Sequence, residues 1–266
     1  MLTIDFPKEI GDSRIDSYLF ILESFLTTKQ VCLRFSTKTK ISPAGFAILA
    51  CLFDKACELG IRIDWNIPQS LKRQCPYLQQ LSEIKWVKQF MPSVQSYDYE
   101  DKHQLLSVGE TAFNFGFIER CIEKFPSGED LQFDCKLILQ ELMQNTISHA
   151  GGERYYAYAG LWNKEIHLGI LDMGVGIPTK LQQKYICTDD LEYILLAMKE
   201  GITTRRRRVG GLGLTHFKDV LKNNAGKLTI ISGRAQVRYY FQTRKSQKSF
   251  LKYRLPGTWC CARIPL

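Results

Sequence analysis

An apolar strand that ends in a carboxylate and two glycines is the feature of this sequence that most restricts its fold. Residues 166–171 are largely apolar, and Asp172, Gly174 and Gly176 follow in close succession. A short apolar run of this kind is typical of a strand. The glycines after it would let a ligand approach the backbone, although Asp followed by Gly is also common in ordinary turns.

A predicted helix before this strand carries a polar stripe. Glu141, Asn145 and His149 recur every four residues, so they share one helix face, while Ile138 and Leu142 lie on an adjacent, core-facing stripe. The simplest interpretation is a solvent-exposed face. The amide oxygen of asparagine is nevertheless a suitable Mg²⁺ ligand, and a glutamate one turn earlier could polarise a water as a general base.

A third motif, Gly210-Gly211-Leu212-Gly213-Leu214, leads into a predicted helix that ends near Asn223. Free backbone N–H groups at such a helix start can face an anion. The four arginines at 205–208 add charge that could grip phosphates, and glycine-rich segments of this kind often act as lids. A solvated basic loop is the alternative interpretation.

Alternating strands and helices are predicted along the rest of the chain. In the first third, strands near 31–35 and 61–65 flank a helix at 44–59, for which Ser42 and Pro43 form a typical start. This βαβ pattern predicts parallel strands. Later predicted elements are helices at 110–124 and 130–150 and strands at 154–161, 165–171, 228–232, 237–242 and 258–264, with Asn163-Lys164 as a turn.

The polar segment from Pro92 to Gln104 is the best linker candidate, because it is poor in aliphatic residues. We therefore expect a first domain at 1–95, a linker at 96–108 and a second domain at 109–266. With 266 residues, of which 45% are hydrophobic, the chain is long enough for two small domains.

Composition narrows the classes of partner and compartment. Lys and Arg outnumber Asp and Glu by 36 to 27, a net charge of +9 that suits an anionic partner. The nine cysteines form no C-x-x-C pair, which favours reduced thiols and a cytoplasmic protein. No stretch approaches the roughly 20 apolar residues that span a bilayer, so no membrane contact is expected.

Taken in order, the three motifs resemble the asparagine box and the two glycine boxes of the GHKL superfamily, which includes the DNA gyrase B subunit, histidine kinases and MutL. Gly257-Thr258-Trp259 before the last strand resembles the closing strand of that family. The similarity covers roughly 109–266. It implies an α+β two-layer sandwich of GHKL type that binds ATP and Mg²⁺.

This resemblance implies a role for each motif residue. Asn145 would coordinate Mg²⁺, Glu141 would be the catalytic general base, and Asp172 would bind adenine. The chain lacks a phosphoacceptor-histidine dimerisation helix, so a sensor histidine kinase is not expected. The implied ATP-binding residues are Asn145, Asp172, Gly174, Gly176, Ile177, Thr204, Arg205, Gly210, Gly211, Leu212, Gly213 and Thr258.

The first third resembles a STAS domain, a small α/β fold found in anti-sigma-factor antagonists. The similarity rests on the strand, the turn Ile41-Ser42-Pro43-Ala44-Gly45 and the helix that follows. Regulated members carry a phosphorylated serine directly before this glycine, where the chain has Ala44. The phosphorylation switch is therefore not expected, and Ser42 is interpreted first as a helix cap and second as a phosphate acceptor.

Several functions fit these motifs. The leading hypothesis is a slow ATPase that switches a partner protein through a nucleotide-dependent lid. A serine/threonine protein kinase of anti-sigma-factor type and a non-catalytic ATP- or ADP-sensing module are the alternatives. A protein partner is expected, with a neighbouring gene as one candidate source, and a homodimer stays open. Nucleic acid is the least favoured partner, because the basic and aromatic residues of 234–252 also suit a solvated edge strand.

Overall fold

The computed structural model describes residues 1–83, 97–100, 104–110, 114–125, 128–149, 153–199 and 213–266. Over these residues the protein is mixed α/β, as the sequence predicts. The chain divides into two compact units, Met1–Gln95 and Ser96–Leu266. In the described residues, no helix combines the length and the apolar character that crossing a membrane requires.

The first unit alternates strands with helices. Its elements are β1 (Leu2–Asp5), β2 (Glu9–Ile10), α1 (Ile15–Ser24), β3 (Gln30–Arg34), β4 (Lys40–Ile41), α2 (Pro43–Glu58), β5 (Arg62–Asn66), α3 (Gln69–Gln74) and α4 (Pro76–Glu83). A parallel sheet has the strand order β1-β3-β5, and β2 pairs with β4 in a second, two-stranded sheet. The predicted βαβ unit with parallel strands is thus confirmed.

Helix α2 is the centre of the first unit. Its residues from Pro43 to Asp54 are all buried, and α1, β4 and β5 pack against it. The helix begins where the sequence predicts, because the Ser42 side chain accepts a hydrogen bond from the backbone N–H of Gly45. A helix that is apolar all round needs cover on every side, so this one is a core element.

The second unit contains one large sheet and five helices among its described residues. Its elements are β6 (Tyr97–Glu100), β7 (Gln104–Gly109), α5 (Phe115–Lys124), α6 (Glu129–His149), β8 (Tyr155–Trp162), β9 (Glu165–Asp172), α7 (Gly176–Leu181), α8 (Asp190–Ala197), α9 (Gly213–Asn223), β10 (Lys227–Tyr240) and β11 (Lys245–Pro265).

The strand order of this sheet is β10-β11-β9-β8-β7-β6, with every pair antiparallel. Asn163 and Lys164 both have positive φ, as the tight turn between β8 and β9 requires. One face of the sheet packs on helices α5, α6, α8 and α9. Ile138 and Leu142 of α6 are buried in this core, which confirms the predicted apolar stripe.

The predicted linker at 96–108 is wrong, because strands β6 and β7 occupy it and join the sheet. The segment is polar since β6 is an edge strand whose acids pair with α5. Asp98 forms an ion pair with Arg120, and Glu100 forms one with Lys124. Two helices, α7 and α8, also lie between Asp172 and the glycine-rich motif, where the sequence analysis gives no helix.

Candidate functional site

Asp172 is the last residue of β9, and it is buried, with 6% of its surface exposed. Its Oδ1 atom accepts hydrogen bonds from the backbone N–H groups of Gly174, at 3.0 Å, and of Thr258, at 3.2 Å. Within the described part of the chain, no donor reaches Oδ2. Half of a buried carboxylate is therefore left to accept a hydrogen bond from a ligand.

Burial raises the pKa of Asp172 from 3.8 to about 6, although the N–H groups of Gly174 and Thr258 act in the opposite direction. The loss of hydration outweighs the two hydrogen bonds. The ionised side chain is therefore incompletely compensated by the protein itself. A ligand N–H group at Oδ2 would supply part of the missing compensation.

Two glycines bring the backbone close to this carboxylate. A Cβ atom on Gly257 would overlap the Asp172 carbonyl oxygen and lie 2.5 Å from Oδ1. Gly176 has a φ of +77°, which favours glycine, and its Cβ would lie 2.9 Å from the Ser232 hydroxyl. Both positions therefore exclude larger residues.

Ser232 of β10 ties these elements together, and the sequence analysis missed it. Its hydroxyl accepts from the Ile177 N–H at 2.8 Å, donates to the Gly257 carbonyl at 2.9 Å and lies 3.2 Å from the Thr258 hydroxyl. The residue is fully buried. A serine directly after the apolar pair Ile230-Ile231 was the available signal, since buried polar groups need partners.

The structure therefore joins five of the predicted ATP-binding residues in one network. They meet where the end of β9, the start of α7 and the turn into the last part of β11 come together. The residues are Asp172, Gly174, Gly176, Ile177 and Thr258.

Glu141 and Asn145 lie on α6, which packs against β9. Both side chains are half-buried. On the same helix, Leu142 is buried and Gln144 is exposed. Neither forms a hydrogen bond or an ion pair with another described residue. The two polar groups are consequently available to a ligand or metal, although neither of them forms a hydrogen bond with Asp172 in the described part of the chain.

The remaining predicted residues belong to the glycine-rich motif. Thr204, Arg205, Gly210, Gly211 and Leu212 lie outside the described residues. Gly213 is the first residue of α9, so the predicted helix after the motif is present. No cluster of three or more His, Cys, Asp or Glu side chains that could hold a metal ion occurs in the described ranges.

The turn at Ser42 in the first unit has a different character. The Ser42 hydroxyl donates to the Ile10 carbonyl at 3.1 Å and accepts from the Gly45 N–H at 3.3 Å, with 2% of the residue exposed. A Cβ on Gly11 would lie 2.5 Å from this hydroxyl. The geometry is that of a buried helix cap without room for a phosphate group.

The candidate site is thus the network around Asp172, with Glu141 and Asn145 on the neighbouring helix. Comparison of the chain with protein-family models and with curated proteins gives no match. The functional interpretation rests on the motifs and on the geometry of the network.

Proposed function

We propose that the unit at 96–266 binds ATP with Mg²⁺ and is a slow ATPase that switches a partner protein. The observation that carries the proposal is the Asp172 carboxylate, which is buried and bonded at Oδ1 but meets no described donor at Oδ2. A polar group buried in this way costs free energy unless a partner satisfies it. The similarity of the three motifs to GHKL proteins supports the same assignment.

The open oxygen of Asp172 matches position 6 of adenine, whereas guanine could bond to it only through its N1 and N2 donors. Adenine presents an exocyclic amino group, which donates, whereas guanine presents a carbonyl oxygen in the corresponding position. A carboxylate can accept only from the former. We expect Thr258, whose hydroxyl is beside Ser232, and Ile177 to border the base.

Glu141 and Asn145 supply the groups that phosphate chemistry needs. Asn145 would hold Mg²⁺ through its amide oxygen, together with phosphate oxygens and water. The bound ion would neutralise charge on the phosphates. Glu141, one helical turn away, would orient and deprotonate a water. The half-buried position of both side chains on α6 supports this assignment.

The proposal is tested with γ-labelled ATP and the variant Glu141→Ala. The wild type should bind Mg·ATP and release labelled phosphate slowly. Glu141→Ala should bind with similar affinity and lose at least about 100-fold in turnover, as expected for a general base. Gln144→Ala, an exposed neighbour on the same helix, serves as the matched control and should leave turnover unchanged.

The fate of the label distinguishes the reactions. Free labelled phosphate supports hydrolysis, whereas label on Ser or Thr of an added protein supports a kinase. Binding without turnover would favour an ATP-sensing module. Absence of Mg·ATP binding by the wild type would contradict the proposal as a whole.

A further inference from the structure

The hydroxyl group of Ser232 stands where the pairing of β10 with β11 is interrupted. Ser232 lies opposite Thr258, and the register shifts directly after it. Among the described strands, Pro256 and Gly257 of β11 therefore have no opposite residue on β10, and pairing with β9 begins only at Trp259. The carbonyl oxygen of Gly257 accepts from the Ser232 side chain instead, at 2.9 Å.

Every hydrogen-bonding position of the Ser232 hydroxyl is occupied. A hydroxyl carries one hydrogen and two lone pairs. The Gly257 carbonyl can only accept, so it takes the hydrogen. The Ile177 N–H can only donate, so it takes one lone pair, at 2.8 Å. The 3.2 Å contact with the Thr258 hydroxyl must then use the second lone pair, with Thr258 as the donor.

This arrangement fixes the polarity of the Thr258 hydroxyl. Its single hydrogen is taken by Ser232, whereas its lone pairs meet no donor among the described residues. Thr258 is half-buried, and its backbone N–H donates to Oδ1 of Asp172, so the two side chains belong to one site. The site therefore offers two acceptors to a ligand, which are Oδ2 of Asp172 and Oγ1 of Thr258.

We propose that Ser232 determines the specificity of the nucleotide site, because it holds the Thr258 hydroxyl as an acceptor and so favours a 6-amino purine over a 6-oxo purine. The inference rests on the proposed binding of ATP at Asp172. The amino group at position 6 of adenine carries two hydrogens and donates, whereas a carbonyl oxygen at that position only accepts. Two acceptors therefore match the amino group and not the carbonyl.

The carboxylate of Asp172 does not make this choice alone. The N1–H group of a 6-oxo purine can also donate to a carboxylate oxygen. With Thr258 held as an acceptor, the neighbouring carbonyl oxygen of that purine finds a lone pair where it needs a hydrogen. A site whose buried polar groups are left unpaired by the wrong ligand discriminates strongly against it.

Ser232 acts through Thr258, so it is a positioning residue. Without the Ser232 hydroxyl, the hydrogen of Thr258 loses its acceptor and can turn to a ligand oxygen. A serine that served only the fold would change the affinity for all nucleotides alike. The ratio of the affinities for ATP and ITP therefore separates the two roles.

The test is isothermal titration calorimetry with Mg·ATP and with Mg·ITP, whose purine carries the 6-oxo group. The wild type should bind ATP at least about tenfold more tightly than ITP. In Ser232→Ala this ratio should fall about tenfold, because the released Thr258 hydroxyl can donate to the ITP carbonyl. Ser107→Ala is the matched control, since Ser107 is also buried in this sheet and accepts from Asn114. It should leave the ratio unchanged.

Variants of Thr258 test whether Ser232 acts through it. Thr258→Val should lower the ratio about as much as Ser232→Ala does, and Thr258→Ser, which keeps the hydroxyl, should restore it. The double variant Ser232→Ala with Thr258→Val should lower the ratio no further than Thr258→Val alone.

An unchanged ratio in Ser232→Ala, or additive losses in the double variant, would overturn the proposal. Where Ser232→Ala fails to fold, Ser232→Cys takes its place, because a thiol is a weak donor and acceptor that holds the Thr258 hydrogen less firmly. An unchanged ratio there would be equally decisive. A wild type that prefers ATP, with variants that prefer it as strongly, refutes only the role of Ser232. A wild type that does not bind Mg·ATP contradicts the proposed function and this inference with it.

Discussion

Asp172 and Ser42 are both buried polar residues in motifs that sequence resemblance marks as functional. Ser42 uses its hydroxyl fully within the protein, because it donates to Ile10 and accepts from Gly45. Asp172 directs both of its protein hydrogen bonds to Oδ1, and no described donor reaches Oδ2. One residue is satisfied by its own fold, whereas the other keeps capacity for a ligand.

The difference shows how a helix cap and a binding residue can be told apart. Burial alone is nearly equal, with 2% of Ser42 exposed and 6% of Asp172. The hydrogen-bonding capacity that remains is the distinguishing quantity. On this criterion the serine of the first unit serves stability, and the aspartate of the second unit keeps the hydrogen-bonding capacity that the proposed nucleotide site requires.

Gly257→Ala should have the largest effect on the Asp172 network. The added Cβ would overlap the Asp172 carbonyl oxygen, so the free energy of unfolding should fall by about 3 kcal/mol or more. Chemical denaturation measures this loss. Gly128→Ala is the control, because its Cβ would meet nothing within 4 Å, and an equal loss there would contradict the explanation.

Asp172→Asn should stabilise the protein without nucleotide at neutral pH. The folded-state pKa of about 6 lies above the reference value of 3.8, so the folded protein binds the proton more tightly than the unfolded chain does. This tighter proton binding stabilises the folded wild type. The stabilisation is fully present below pH 3.8 and is lost as the pH rises through 6.

The pKa shift of Asp172 corresponds to up to about 3 kcal/mol in the free energy of unfolding. The stability of the variant relative to the wild type should therefore rise from near zero at low pH to this value above pH 6. Denaturation of both proteins across the pH range measures it. A difference that does not change with pH would show that the carboxylate is not destabilised by burial.

Ser42→Ala should have the smallest effect, a loss of about 1 kcal/mol in the free energy of unfolding, as expected for a helix cap. Ser13→Ala, an exposed serine in the same unit, should change stability less. Incubation with γ-labelled ATP should leave Ser42 unlabelled. Detection of phosphate on Ser42 would contradict its assignment as a cap.

Much of the architecture could be predicted from local sequence. The apolar run before Asp172, the cap at Ser42 and the turn at Asn163-Lys164 each act through near neighbours, so their patterns are visible in the chain. The linker prediction failed because the acids of β6 are neutralised by Arg120 and Lys124 of α5, which lie about 20 residues further along the chain.

The site was predicted less completely than the fold, because its contacts also join residues that are far apart in the chain. Asp172 was identified because it stands in a local motif. Ser232 was missed because its partners, Ile177 and Gly257, are 55 and 25 residues away. Position 257 requires glycine because it lies against Asp172. The two residues are brought together by the pairing register of the sheet, which is not visible in local sequence.

The most direct test of the account is the affinity of Asp172→Asn for ATP, measured by isothermal titration calorimetry with GTP as the comparison ligand. The N–H groups of Gly174 and Thr258 should hold the amide oxygen in the place of Oδ1. The amide nitrogen would then face the adenine amino group, donor against donor. We predict that the folded variant loses at least about 100-fold in ATP affinity. Unchanged affinity would contradict the assignment of Asp172 to adenine.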